Sequence, residues 1–442
     1  MTTTKRAEKA SQIITFKALV IGVLTLFLLI PGLMIQDLIQ ERKNRSVETI
    51  EKINAKWSNA QTICGPILCI PYMTTYTDTD NKTVRNHHVL KITPEELNIN
   101  TQLFPEERHY GIYKAILYKS EIDIVGQFDK ITPLQIENST IYWNNAYITI
   151  GLSDLRGITD NIGFILNGRS YTAEATGSSD EQSGKILTVA IGDSLSQETT
   201  QPLNFNYKLK LNGSSNISFI PIGKTSKVQV AGAWKSPSFI GNFSPEHTIT
   251  DEGFEASWSI LRFNRNIPDM WADNHVESFY DSSFGVNLVD PVDHYQQNMR
   301  SAKYAIMFIA LTFVVFFFVE ILTRTRIHPI QYLLVGIALI LFYSLLLSIS
   351  EQINFAAAYL IASVATIGLI TAYTHSIFKN KTQTGALALF LFILYLFLYV
   401  ILQLEDVALL IGSIGLFIIL AVIMYFSRKI NWYKQEDPEK IQ

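Results

Sequence analysis

The two cysteines of this 442-residue chain, Cys64 and Cys69, flank Gly65-Pro66. An extended strand would hold their α-carbons about 16 Å apart, so a disulfide requires Gly65-Pro66 to turn the chain back. Otherwise they are two small buried hydrophobes, and no metal-ligand pattern accompanies them. Ile222-Gly-Lys-Thr225 ends like a phosphate loop, but the glycine required five positions before Gly223 is Ser218, and the motif fails. Asp78-Thr-Asp-Asn-Lys-Thr83 starts like a calcium loop until its third ligand position proves to be Lys82 and its glycine Thr83, which leaves a turn. Ser153, Asp154, Asp290, Asp293 and His294 could serve a hydrolase only if the fold gathered them. Neither a Gly-x-Ser-x-Gly elbow nor a His-Glu-x-x-His pair occurs. No catalytic, cofactor-binding or metal site is therefore expected.

A second group of ionisable residues lies at the edges of apolar stretches. Ion- or proton-coupled transport needs such groups near mid-bilayer. Glu320 instead stands one turn before Arg324, the favourable i,i+4 order for a pair at an interface. His328 falls in a short loop and His375 near the end of its apolar segment, so all four read as interfacial anchors.

The elements that carry these residues follow from where apolar residues gather. Apolar residues make up 48% of the chain and charged ones 17%, and the apolar ones concentrate near the N-terminus and after Lys303, which argues against a single soluble domain. A net charge of −3 gives no field for nucleic acid. A bilayer core of about 30 Å needs about 20 helical residues. Six segments meet that length: 16–38 (apolar from Phe16 to Ile35), 303–322, 330–349, 355–377, 385–402 and 407–426. The first lacks a small-x-small cleavage site and reads as an uncleaved anchor bent at Pro31-Gly32. Ala356, Ala357 and Ala358 read as helix-packing positions.

Short-loop charge gives the orientation. Arg324 and Arg326, Lys379 and Lys381, and the tail with Arg428, Lys429 and Lys434 alternate with the neutral or acidic loops 350–354 and 403–406. Residues 1–15 and 427–442 are thus expected in the cytoplasm and 39–302 in the periplasm. Arg42, Lys43 and Arg45 disagree, on the outer side of the first helix.

Between anchor and bundle, the helix is expected to continue with Val47, Ile50, Ile53 and Trp57 on one face. From about residue 60 the period becomes two. Leu203–Leu211 alternates without a break, and Asn212-Gly-Ser-Ser followed by Ile217-Ser-Phe219 reads as a hairpin. Similar alternation at 121–124, 141–150, 228–230 and 254–258 predicts an antiparallel sandwich or barrel-like domain, with 177–184 as a polar loop. The fold class is a multi-pass α+β membrane protein: one N-terminal helix, a β-rich extracytoplasmic domain, and a five-helix C-terminal bundle.

Gly65-Pro-Ile-Leu-Cys-Ile-Pro71, Glu107-Arg-His-Tyr-Gly-Ile-Tyr113, Ser153-Asp-Leu-Arg-Gly157, Pro237-Ser-Phe-Ile-Gly241, Gly253-Phe-Glu-Ala-Ser-Trp258 and His328-Pro-Ile-Gln-Tyr-Leu-Leu-Val-Gly336 occur in this order. In this the chain resembles the CreD family from residue 16 to Tyr433. The resemblance implies a multi-pass inner-membrane protein, the output of a two-component stress response, linked to envelope integrity and colicin tolerance. It brings no catalytic residues, and the cysteines depart from the family pattern. A non-enzymatic envelope protein is therefore expected, with membrane lipids and periplasmic or inner-membrane proteins as partners and no nucleic acid. The alternative is a transporter or lipid handler whose outer domain serves as receptor or lid.

Overall fold

The computed structural model describes residues 16–77, 80–131, 138–180, 184–196, 201–272, 279–289, 293–323, 327–404 and 407–428. Asp78, Asp290, Arg324 and Arg326 lie outside the described residues, as do residues 181–183; the rest of the stretch 177–184 expected as a polar loop belongs to the strands Glu174–Asp180 and Gly184–Ala190, which pair with each other, so the loop is confined to the residues between them. Two compact units result, one from residues 1–47 and 292–442, the other from residues 48–291.

The helical unit begins with α1, Phe16–Trp57, whose last ten residues belong to the second unit. Helices α2 (His294–Lys303), α3 (Ala305–Thr323), α4 (Pro329–Ser350), α5 (Phe355–Phe378), α6 (Lys381–Gln403) and α7 (Ala408–Ser427) follow. Their ends are set locally. Pro329 opens α4 behind a His328 cap, Asn354 and Asn380 cap α5 and α6, and Lys379 closes α5 at φ 51°.

Among the described residues four helices, α1, α4, α5 and α6, are long and apolar enough to cross a membrane. A fifth is counted if α2 and α3, bent by 43° about Tyr304, form one broken span. The apolar stretch of α7, Leu410–Val422, is shorter. The segment expected to start at Lys303 in fact starts helically at His294, because Asp293 accepts the Tyr295 and Gln296 amides and caps the turn there.

Phe308, Phe316, Leu346, Ala358, Leu391 and Leu398 fill the bundle core, and Leu28 joins it from α1. A β-carbon on Gly336 would meet Leu28 Cδ1 at 2.2 Å, so glycine there lets α1 and α4 approach. Of the three expected packing alanines only Ala358 is buried; Ala356 is exposed, as the helical period requires. Arg42 pairs with Glu351 at 3.6 Å and Lys43 with Asp293 at 3.0 Å, which gives two of the discordant basic residues acidic partners.

Among the described residues the second unit holds two sheets, of ten and eight strands, around one core that includes Leu68, Ile124, Ile148, Leu209, Phe219 and Phe284. Leu203–Leu211 alternates buried and exposed as its pattern predicts. Most ladders are antiparallel, the longest joining Glu96–Tyr110 to Tyr113–Phe128 through Gly111 at φ 60°. Among the described residues two are parallel: Gln61–Ile63 on Ile217–Phe219, and Glu96–Leu103 on Thr225–Gly232. The purely antiparallel expectation is corrected there, since partners so distant in sequence can run either way.

The expected hairpin at Asn212–Phe219 does not form. The strand Leu203–Ser214 stays in the eight-stranded sheet, and Asn216–Phe219 joins the ten-stranded one. Ser215, at φ 62°, swings the chain across: its amide donates to Ile116 O at 3.0 Å, and its carbonyl accepts from the Leu288 amide at 2.7 Å. The stretch expected as one strand over 141–150 is likewise split by a 3-10 turn at Trp143–Asn145.

Candidate functional site

The expected face on the last turns of α1 forms from Ile50, Ile53 and Trp57 together with buried Asn54, while Val47 is 48% exposed. At the end of that helix the described structure concentrates polar bonds from distant parts of the chain. Arg156 grips Asp154 through Nε at 2.9 Å and Nη2 at 2.6 Å, and its Nη1 donates to Ala55 O at 2.8 Å. Ala55 is among the last residues of α1, where carbonyls lack helical donors, so the guanidinium stabilises the helix end as it binds it. Asp154 also accepts from the Asn59 amide at 3.2 Å. Arg156, with desolvation opposing it and the backbone amides adding to it, holds the Asp154 carboxyl at about 2, below its ordinary 3.8.

Gln61 completes the clasp. Its Nε2 donates to Ser58 Oγ at 2.9 Å, Asp154 O at 2.9 Å and Asn212 O at 3.2 Å. Gly157 must be glycine for this, because a β-carbon would stand 2.4 Å from both Asn212 O and Gln61 Nε2. On another side the Arg108 guanidinium lies 4.1 Å from the Trp57 ring centre, a cation–π contact. Two of the motifs noted in sequence, Glu107–Tyr113 and Ser153–Gly157, thus meet on the last turns of α1. Arg108, Arg156 and Gln61 were not singled out from sequence, and only the first two lay inside quoted motifs.

The residues considered for catalysis are engaged structurally. Ser153 Oγ donates to Ala60 O at 2.7 Å and accepts from the Thr62 amide at 2.9 Å. Asp293 caps α2 and belongs, with His294, to the helical unit, whereas Ser153 and Asp154 belong to the other. Within Ile222–Thr225, Lys224 pairs with Glu95, and Gly223 O accepts from buried Arg265 Nε at 3.0 Å. A β-carbon on Gly223 would lie 2.8 Å from Leu97 Cβ, a packing reason for that glycine.

Cys64 and Cys69 are buried in the one strand Gln61–Thr77, opposite Gly151 and Tyr147. Four residues of partner strand separate those positions, about 13 Å, so Gly65-Pro66 breaks the register without folding the strand back on itself. No cluster of three His, Cys, Asp or Glu suited to a metal occurs among the described residues.

In the helical unit Glu320 accepts from Lys17, from Tyr332 OH at 3.0 Å and from the Ile327 amide at 3.1 Å. Its expected partner Arg324 lies outside the described residues. His328 caps α4, its Nδ1 accepting the Ile330 amide at 3.3 Å, and His375 is exposed on the last turn of α5. At the opposite end of the bundle Tyr295 OH donates to Glu351 at 3.1 Å, and Asn298 Nδ2 to Ser350 Oγ at 2.7 Å.

An N-terminal apolar helix, a two-sheet domain gripping its end, and a C-terminal bundle of apolar helices define an integral membrane protein with a folded β-rich domain. The chain belongs to the CreD family: the family described as inner membrane protein CreD matches residues 13–433. Inner membrane protein CreD of Escherichia coli (strain K12) is 33% identical over 417 residues, which cover 92% of this chain and 91% of that one.

Proposed function

We propose that this inner membrane protein supports cell-envelope integrity by binding rather than by catalysis. In this reading six helices cross the membrane with both termini cytoplasmic. Residues 39–302 stand in the periplasm, where the β-rich domain binds a periplasmic protein or a wall or membrane component. The carrying observation is the clasp at Trp57, Asp154 and Arg156, which fixes the end of α1 in the β-rich unit with charge-assisted bonds. A domain that presents a binding surface from a membrane needs such a fixed root.

Family membership supports the location, and the resemblance supports the link to stress and colicin tolerance. The core of the bundle, with Phe308, Phe316, Leu346 and Leu398 each at most 1% exposed, favours a support over a conduit. Deleting the gene and challenging cells with detergent, colicin and wall-active drugs tests it. Raised or altered sensitivity is expected; unchanged sensitivity to all three overturns the reading.

A further inference from the structure

Five strands of the eight-stranded sheet lie side by side in the order Phe254–Leu261, Thr225–Gly232, Glu96–Tyr110, Tyr113–Phe128 and Leu203–Ser214. Residues such as Ile99, Ile124 and Leu209 point into the core, and the residues alternating with them face outward. On that outward face stand Asn98, Asn100, Gln102, Asn204, Asn206 and Gln229, all exposed. The ladders make them neighbours. Gln229 lies directly beside Asn100, and Val125 is flanked by Asn98 on one side and Asn206 on the other. With about 4.8 Å between strands and about 6.7 Å between alternate residues of one strand, the amides form a flat lattice.

Solvation alone does not call for these residues. Asparagine is disfavoured in strands, and threonine would face water while favouring the strand. None of the six side chains hydrogen-bonds to a described residue, so their donors and acceptors are turned outward.

The charges of the face cancel. Lys208 pairs with Asp123 at 2.8 Å, Lys210 stands opposite Glu121 in the same ladder, and Lys119 and Lys227 are matched in number by Glu96 and Glu255. A polyanion or a polycation therefore finds no net field to follow. A protein partner would call for apolar and aromatic anchors at the centre, where this face carries amides. Its exposed aromatic ring, Phe104, is 50% exposed and follows Gln102 on the same side of the strand, at the margin of the amides. Each carboxamide offers two donors and an acceptor, which suits neighbouring hydroxyls that both donate and accept, and an aromatic ring suits the C–H face of a sugar.

We propose that this face binds the uncharged glycan backbone of the cell wall, with Asn98, Asn100, Asn206 and Gln229 hydrogen-bonding its polar groups and Phe104 stacking on a sugar ring. The assignment rests on the reading of the β-rich unit as a periplasmic binding module. Of the partners open to such a module, the wall glycan is the one with dense, neutral hydroxyls.

Co-sedimentation of the full chain, in mild detergent, with purified peptidoglycan sacculi tests it. The chain should pellet with sacculi, chitohexaose should release it and heparin should not. Because the contact is neutral, a tenfold rise in salt should change binding by less than about twofold. Asn98→Ala with Asn206→Ala should weaken binding about tenfold, the loss of two hydrogen bonds, at an unchanged Tm, since both side chains are exposed. Asn86→Ala, at an exposed amide on the strand Thr83–Ile92 of the other sheet, should bind as the unmodified chain does. Failure to pellet, release by salt or by heparin, or full binding by the double variant overturns the glycan face. Envelope sensitivity is read separately, in the deletion strain. Altered sensitivity without sacculus binding overturns the glycan face alone, and sacculus binding with unchanged sensitivity overturns the proposed function alone.

Discussion

Lys17, near the start of α1, and Glu320, near the end of α3, are 303 residues apart in sequence and form an ion pair in which the Glu320 side chain is 7% exposed. A buried pair of this kind adds little net stability, because desolvation offsets attraction. Removing one partner, however, strands the other charge. Lys17→Ala should therefore destabilise the solubilised chain by about 3 kcal/mol, read as a lowered Tm or an earlier denaturant midpoint. The exchange Lys17→Glu with Glu320→Lys should recover part of that loss, and two independent, additive losses would contradict the pair.

Asp154 gives a prediction in pH. Its folded carboxyl titrates at about 2, against an ordinary 3.8. A depressed carboxylate stabilises the folded state above the unfolded value, and the contribution disappears as pH falls from 3.8 towards 2. Asp154→Asn keeps the shape and removes the charge. It should cost about 2 kcal/mol at neutral pH through weaker bonds to Arg156 and the Asn59 amide, and flatten the acid limb of the stability curve. Chemical unfolding of the full chain at pH 7 and pH 3 checks both, and an unchanged slope between them would refute the assignment.

How much of this was visible in the sequence depends on the range of the cause. Apolar helices need only composition and length, so α4, α5 and α6 begin and end within a few residues of their expected bounds. Alternation is equally local, and Leu203–Leu211 reads correctly. Pairing is not local. Nothing in Asn212–Phe219 distinguishes a hairpin from a sheet switch, because Ser215 is held at φ 62° by Ile116 and Leu288, far away in sequence. The clasp was hidden for the same reason, as its atoms come from residues 55 to 61, 154 to 156 and 212. For Glu320 the neighbour four residues on lies outside the described residues, and the partner that the fold does show, Lys17, is 303 residues away and beyond the reach of any local pattern.

Gly157 and Gly163 separate packing from backbone effects. A β-carbon at Gly157 would stand 2.4 Å from two fixed polar atoms of the clasp, and at Gly163 it meets nothing within 4 Å. Gly157→Ala should cost about 2–3 kcal/mol by overpacking, and Gly163→Ala should be neutral or stabilising by up to about 1 kcal/mol through a less flexible unfolded chain. Matched unfolding curves decide it; equal effects at the two sites would mean that the clasp yields.

The proposed topology makes a prediction about sidedness. Leu261, 47% exposed at the end of the strand Phe254–Leu261, offers an insertion point ahead of the turn Arg262–Asn264, and Gln442 ends the chain. If the β-rich unit is periplasmic and the six helices all cross, a phosphatase fused after Leu261 is active and one fused after Gln442 is not, while a cytoplasmic fluorescent reporter gives the reverse. The test bears hardest on α7, whose apolar stretch Leu410–Val422 is short for a full crossing. Were α7 to lie on the membrane surface, the chain would cross five times and both fusions would report the same side. The basic residues that follow it, Arg428, Lys429 and Lys434 among them, resist translocation, so opposite sides are the expected result.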